Sequence, residues 1–430
     1  MIYPTRSSNF LKIIYSGAIM NFYTQNIIKK LCSVLLLAFM SVSLSISAIL
    51  ISFIPSSISI YKDECAPESM FFDFIRFDYS NSVIEVSKMS EESSAVYTAT
   101  VNIGSLELKE VDVNVFEKVK LIPGGMQFGL NMHTDGVMVV GMSDVDSESG
   151  PINPCREAGI KVGDIITHLD GKSVTTTALL SEMISNAREK TMVFTVNRGG
   201  ESLIFNVRPR FSTSNQTYKT GIWIRDNVAG IGTITYIDPK SGRFGGLGHG
   251  VCDSDTGELI PMSYGSVSGV TLTSITKGKA GSPGEISGYF NGEYSGTLLK
   301  NTHEGVFGVL DKSASVNGLS LSAPLDIALR DEIKEGSAQI ISSDGEGGCA
   351  LYDVTISSLD RSGAKNRNFV VKVTDPDLLA LTGGIVQGMS GSPIIQNGRI
   401  VGAVTHVLVN DPTRGYGIFI ENMLEAAGNR

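Results

Sequence analysis

The most extended apolar feature of the chain comes first. Residues 31–61 contain no charged side chain and are densest in hydrophobic residues at 34–40. A run of that length can cross a bilayer as a helix, which needs about 20 residues. Lys29, Lys30 and, further back, Lys12 precede it. Positive charge on that side favours a cytoplasmic N-terminus and an exported remainder. A cleaved signal peptide is the alternative, because Ser45, Ser47 and Ala48 supply small residues for a cleavage site. Met20 is a second candidate start, with a short basic lead-in behind it. Residues 1–61 are therefore expected to form a lead and a membrane anchor or signal.

Residues 62–108 are polar and irregular, with an acidic and serine patch at Glu91, Glu92, Ser93 and Ser94. They read as a stalk that ends in a small β element near 95–111. From Leu121 onward the pattern sharpens. Gly136 to Gly141 reads as a short buried strand. Gly159 and Gly163 supply turns, Ile165, Ile166 and Leu169 a second buried strand, and Asp170-Gly171 a hairpin turn. Residues 177–188 place Leu180, Met183, Ile184 and Ala187 on one helical face. Strands at 192–196 and 203–207 flank Gly199-Gly200. The stretch 109–210 resembles a bacterial-type PDZ domain, carried by the run Ala158-Gly159-Ile160 through Gly163-Asp164 to Ile165. The resemblance implies that an extended peptide adds a strand beside Phe128, Gly129 and Leu130, opposite the 177–188 helix. A β/α module that only spaces the chain is the plainer alternative. His133 and His168 have no catalytic setting.

Composition narrows the function. The net charge is −9 and the pI about 5.2, so a phosphate backbone is repelled and nucleic acid is not a partner. The 47 Gly and 14 Pro, with one Trp, point to a turn-rich, mainly β chain. Five scattered cysteines show neither a disulfide framework nor zinc spacing. No metal site and no cofactor is expected.

The chemistry gathers near the C-terminus. In Gly388-Met389-Ser390-Gly391-Ser392-Pro393, glycines flank a serine on a tight turn. A nucleophilic serine needs such exposure, a base, and backbone N–H groups aimed at the developing oxyanion. The N–H groups of Gly388 and Ser390 are the candidate donors. Pro393 then opens an apolar hairpin turned at Asn397-Gly398. This string resembles the nucleophile region of chymotrypsin-like peptidases, so residues 211–430 are expected to form a β-barrel peptidase domain. The base is expected at His249, in the small-residue run Gly245-Gly246-Leu247-Gly248-His249-Gly250. His406, on a strand after the nucleophile hairpin, is its rival, and His303 reads as a turn residue. Asp375, delivered by a strand to a turn fixed by Pro376, is the candidate acid that would orient the base. Asp253, Asp255 and Asp377 stay open for that role. Cys252 lacks an activating turn and is not expected to be a nucleophile.

Residues 221–226, 229–233, 244–250 and 383–410 together resemble the stage IV sporulation protein B family of PDZ-containing serine peptidases. The resemblance runs over most of the chain; the residues before Met20 depart from it. It implies His249 as base, Asp375 as acid and Ser390 as nucleophile. It also implies a membrane-associated enzyme exported into the space between forespore and mother-cell membranes. There it would cut itself and a regulatory subunit of an intramembrane metalloprotease complex, releasing a late sigma factor. A non-enzymatic PDZ adaptor and a broad quality-control peptidase are the alternatives.

Overall fold

The computed structural model describes residues 30–31, 33–42, 45, 48–49, 51, 54, 56–61, 69–70, 72–78, 96–103, 106–311, 323–361 and 366–428. The chain divides into two compact units. In the first, strands Phe72–Asp78 and Val96–Ile103 pair antiparallel. Phe72–Asp78 lies in the stretch expected as a stalk, and Val96–Ile103 lies at the β element expected near 95–111. The apolar run at 31–61 is described only in part. Its side chains at Leu31, Val34, Leu35, Leu36, Leu37 and Phe39 are exposed. Among the described residues no helix is long and apolar enough to cross a membrane.

The second unit is mainly β and carries the candidate site. Six strands close into a ring: Gln127–Met142, Met262–Thr276, Glu285–Thr302, Gly305–Leu310, Arg243–Gly246 and Ile222–Ile237, the last pairing with the first. A second closed barrel follows from Gly336–Ser343, Cys349–Ser357, Phe369–Val373, Asp411–Phe419, Arg399–Leu408 and Pro393–Gln396. Alternating inward residues fill the barrels. Phe128, Leu130, Met132, Phe244 and Val306 form the core of the first. Ile340, Val354, Phe369, Val371, Val404 and Phe419 do so in the second.

The PDZ-type module is an insertion into the first barrel rather than a domain ahead of it. The two 16-residue strands Gln127–Met142 and Ile222–Ile237 run side by side. Their barrel halves pair Gln127 through His133 with Thr233 back to Asn227. Their other halves pair Met138 through Met142 with Arg225 back to Ile222. Between these ends the chain makes the excursion that contains Ile165–Leu169, helix Thr177–Ala187, Met192–Arg198 and Glu201–Val207. Val137, Val139, Ile166, Leu169, Leu180, Phe194 and Val196 pack as its core, with Ile222 and Ile224 against them. The expected division at 210/211 gives way to a ribbon shared by both parts, its pairing interrupted where residues 134–137 stand opposite Asp226. Sequence order alone places the module first, because the opening barrel strand is contiguous with the module's own strand.

The expected peptide groove is corrected by the same ribbon. Phe128, Gly129 and Leu130 pair with Gly232, Ile231 and Gly230 on one side and with Gly269, Ser268 and Val267 on the other. Both edges of that strand are taken, so no peptide strand can add there. Phe128 and Leu130 are buried, and a Cβ on Gly129 would lie 2.2 Å from the Phe290 ring. Beside the helix lies the chain's own segment 222–226, and the Thr177 N–H donates to the Asp226 carboxylate at 2.9 Å.

The closing helix Ile420–Ala427 is fastened by a buried ion pair. Glu421 pairs with the Arg330 guanidinium, accepts from the Arg330 N–H at 3.0 Å and from the Ser59 hydroxyl at 3.1 Å. Both charges are almost fully buried. Replacing one partner strands the other without water. Glu421→Ala should therefore cost about 3–5 kcal/mol of unfolding free energy, read as a fall in the urea midpoint.

Candidate active site

Two loops from different barrels meet at one cleft. The first leaves strand Arg243–Gly246 and turns through Leu247 and Gly248, both with left-handed backbone (φ 66° and 67°). A non-glycine residue there is strained and persists only where its surroundings hold it. Gly248 passes 3.0 Å, measured to an added Cβ, from Ile418 and Thr405 of the second barrel. The turn delivers His249. The second loop, from Gln387 to Ser392, delivers Ser390. His249, Ser390 and His406 all line one open cavity of about 450 Å³, together with Cys252, Gln387 and Gly388.

The His249 ring is held in one tautomer by its own main chain. Nδ1 lies 2.8 Å from the Gly250 carbonyl oxygen. A carbonyl can only accept, so Nδ1 carries the proton and Nε2 keeps its lone pair. Burial lowers the His249 pKa, and the Gly250 carbonyl partly offsets that. The ring is thus neutral and basic at Nε2 near pH 7. His406 lies against it, with ring centroids 4.6 Å apart and planes tilted by 33°. Burial, then the charges of His249 and Arg367, push His406 down to about 4. Its Nδ1 is buried without a hydrogen-bond partner.

Ser390 donates its hydroxyl to the Thr405 carbonyl at 2.6 Å rather than to either imidazole. Attack on a substrate requires that hydroxyl to turn toward a base, as apo sites commonly do on binding. Around it the main chain is set for an oxyanion. The Gly388 and Ser390 N–H groups, among the described residues, donate to no backbone group. In a planar trans peptide the C=O direction fixes the following N–H. The Gln387 carbonyl accepts from Ile286 N at 2.8 Å and the Met389 carbonyl from Ser392 N at 2.9 Å. Both candidate donors are therefore held by their own peptide planes.

Asp375 does not join this group. Its Oδ1 accepts from the N–H groups of Asp377 and Leu378, and its Oδ2 from Asp353 N at 3.1 Å. It caps helix Pro376–Thr382 and is absent from the residues that line the cleft. The strand and proline that suggested an acid at a turn are the signature of a helix N-cap followed by proline. Asp253 is buried and pairs with Arg225, as Asp255 does. Asp377 is exposed and lies in the first turn of the Asp375-capped helix. Sequence reading passed over Thr233 and Thr235, which sit buried beneath the nucleophile loop. The strand run Gly232-Thr233-Ile234-Thr235, with hydroxyls on the buried face, was the available signal.

Asp375→Ala should lose about 1 kcal/mol through the missing cap, with Asp375→Asn recovering most of it. Neither change should slow the reaction of Ser390 with a fluorophosphonate by more than a few-fold.

Residues 216–424 match the family model described as SpoIVB peptidase S55, and residues 124–208 match that of the PDZ domain. A 60-residue segment is 40% identical to serine protease HTRA1 of Xenopus laevis, covering 14% of this chain and 13% of that protein. The chain thus spans about an eighth of that relative's length. Among solved structures, the PDZ domain of the SdrC-like protein of Listeria monocytogenes is 20% identical, with 21% of this chain and 87% of that chain covered and a TM-score of 0.18. The HtrA-type protease AlgW with a decapeptide is 13% identical, at 47% and 52% coverage and a TM-score of 0.28. The active form of the Rv3671c protease of M. tuberculosis is 16% identical, at 46% and 73% coverage and a TM-score of 0.26. Over just under half of its length the chain is thus similar to the SpoIVB peptidase S55 family of serine peptidases, with a PDZ-type domain matched beside that stretch.

Proposed function

We propose that Ser390 is the nucleophile of this peptidase, that His249 is its general base, and that the Gly388 and Ser390 N–H groups hold the oxyanion. The observation that carries the reading is the convergence of His249 and Ser390 on one cleft, from loops of two barrels. The Ser390 oxygen attacks the scissile carbonyl and gives its proton to His249 Nε2. The carbonyl oxygen takes the developing charge toward the two N–H groups. His249 then hands its proton to the leaving amine, and water repeats the sequence to release the acyl group. The Gly250 carbonyl does the tautomer-holding that a carboxylate does elsewhere. It carries no full charge, so it stabilises the imidazolium less than Asp would, and a slow signalling cut suits such a site. His406 replaces neither group: it packs on the base and stays neutral.

The substrates follow from the family resemblance and rest on it. The enzyme cuts itself and a regulatory subunit of an intramembrane metalloprotease complex, and so signals activation of a late sporulation sigma factor. Residues 31–61 hold it at the membrane on the exported side, in the space between the forespore and mother-cell membranes. The PDZ part selects when and what is cut. Two strands, rather than a single linker, join it to the first barrel.

Ser390→Ala and His249→Ala in the full chain should each abolish self-cleavage on a gel, by several powers of ten in rate, while the thermal midpoint stays near that of the parent. His406→Ala should be milder. Self-cleavage at the parental rate in Ser390→Ala would overturn the nucleophile assignment. A reversed ranking of the two histidines would move the base to His406.

A further inference from the structure

One buried residue touches both halves of the site without lining the cleft. Thr233 lies in the barrel half of strand Ile222–Ile237 and is fully buried. Its N–H donates to the Ser390 carbonyl at 2.9 Å, and its carbonyl accepts from Leu247 N at 3.2 Å. Its hydroxyl donates to the Gly388 carbonyl at 2.6 Å. The nucleophile loop is thus tied to the backbone two residues before His249 through a single residue. The approach is close enough to dictate a neighbour's identity: a Cβ on Gly391 would meet the Thr233 carbonyl oxygen at 2.0 Å. A threonine on this buried face has a reason beyond packing, because the Gly388 carbonyl would otherwise be left without its partner.

We propose that Thr233 is a positioning residue for the reaction, and that its hydroxyl keeps the nucleophile loop in the conformation that presents the oxyanion donors. The peptide from Gly388 to Met389 stands between the two donor peptides. Its carbonyl is held by the Thr233 hydroxyl, and its N–H donates to the Val386 carbonyl at 3.1 Å. Turning that peptide over would exchange an inward N–H for a carbonyl at the centre of the turn. Gly388, at φ 97°, adjoins that peptide and has no side chain to oppose such a turn. The hydroxyl therefore selects one of two accessible arrangements. Thr235 adds a second hold from the same strand, donating to the Gly391 carbonyl at 2.8 Å. The effect belongs to the transition state: the oxyanion, not the ground-state substrate, uses the donors.

The inference rests on the reading of Ser390 as nucleophile, and the experiment separates the two. In the full chain, the rate of Ser390 modification by a fluorophosphonate is measured over a concentration series, which resolves the maximal rate from the half-saturating concentration. In that reaction the serine oxygen bonds to phosphorus, fluoride leaves, and the serine proton passes to His249. Thr233→Val removes the hydroxyl and keeps shape and backbone bonds. It should lower the maximal rate about ten-fold or more, short of the roughly 10²–10³-fold for a deleted oxyanion donor. The half-saturating concentration should stay within about two-fold, and Thr233→Ser should recover most of the rate. A Thr233→Val rate within two-fold of the parent overturns the proposal. So does a loss that serine fails to rescue, or the absence of a cooperative thermal transition in Thr233→Val, which would make the residue one of folding alone. Modification that persists in Ser390→Ala would instead overturn the nucleophile assignment.

Discussion

The second unit depends on a shared two-stranded ribbon. The strands Gln127–Met142 and Ile222–Ile237 belong at one end to the PDZ sheet and at the other to a closed barrel. An antiparallel ribbon transmits orientation because each residue's hydrogen bonds fix its neighbour's register. From its barrel end, Thr233 bonds to Ser390 on the nucleophile loop and to Leu247 on the base loop. Catalytic geometry, barrel closure and the placement of the inserted module thus share one set of backbone bonds. The module and the first barrel are thus joined by two strands rather than by a single linker.

Among the described residues, the imidazole that shares the cleft with Ser390 is held by a main-chain carbonyl and not by a carboxylate. A carboxylate orients imidazole and stabilises its charged form. The Gly250 carbonyl performs the first task at 2.8 Å and the second only weakly. Burial meanwhile pushes both His249 and His406 toward neutrality. The result is a neutral imidazole with its proton on Nδ1. The Ser390 hydroxyl resting on the Thr405 carbonyl fits the same picture of a site that is assembled but not engaged.

Much of this was legible in the residues. The turn around Ser390 is written in its flanking glycines, because a Cβ on Gly391 would lie 2.0 Å from the Thr233 carbonyl oxygen. The place of His249 at the cleft was legible from the small residues that let Gly248 approach Ile418 and Thr405. The acid was not. Asp375 before Pro376 satisfies the local chemistry of a turn, and the same dipeptide opens a helix, here with the Asp375 carboxylate accepting from the Asp377 and Leu378 N–H groups and from Asp353 N, 22 residues away. Nor was the groove at Gly129 legible. Its strand has the alternation of an edge, and only the distant strands at 227–232 and 267–269 occupy both sides. Long-range pairing carries no local signature, which is also why the insertion of one module into another reads in sequence as two domains in a row.

The account turns on one serine activated by one histidine. The direct test is to treat the folded full chain with a fluorophosphonate and locate the adduct by peptide mass spectrometry. The account predicts a single modified residue, Ser390, with modification lost in His249→Ala and retained in Asp375→Ala. An adduct on another serine, or parental labelling of Ser390 in His249→Ala, would contradict it.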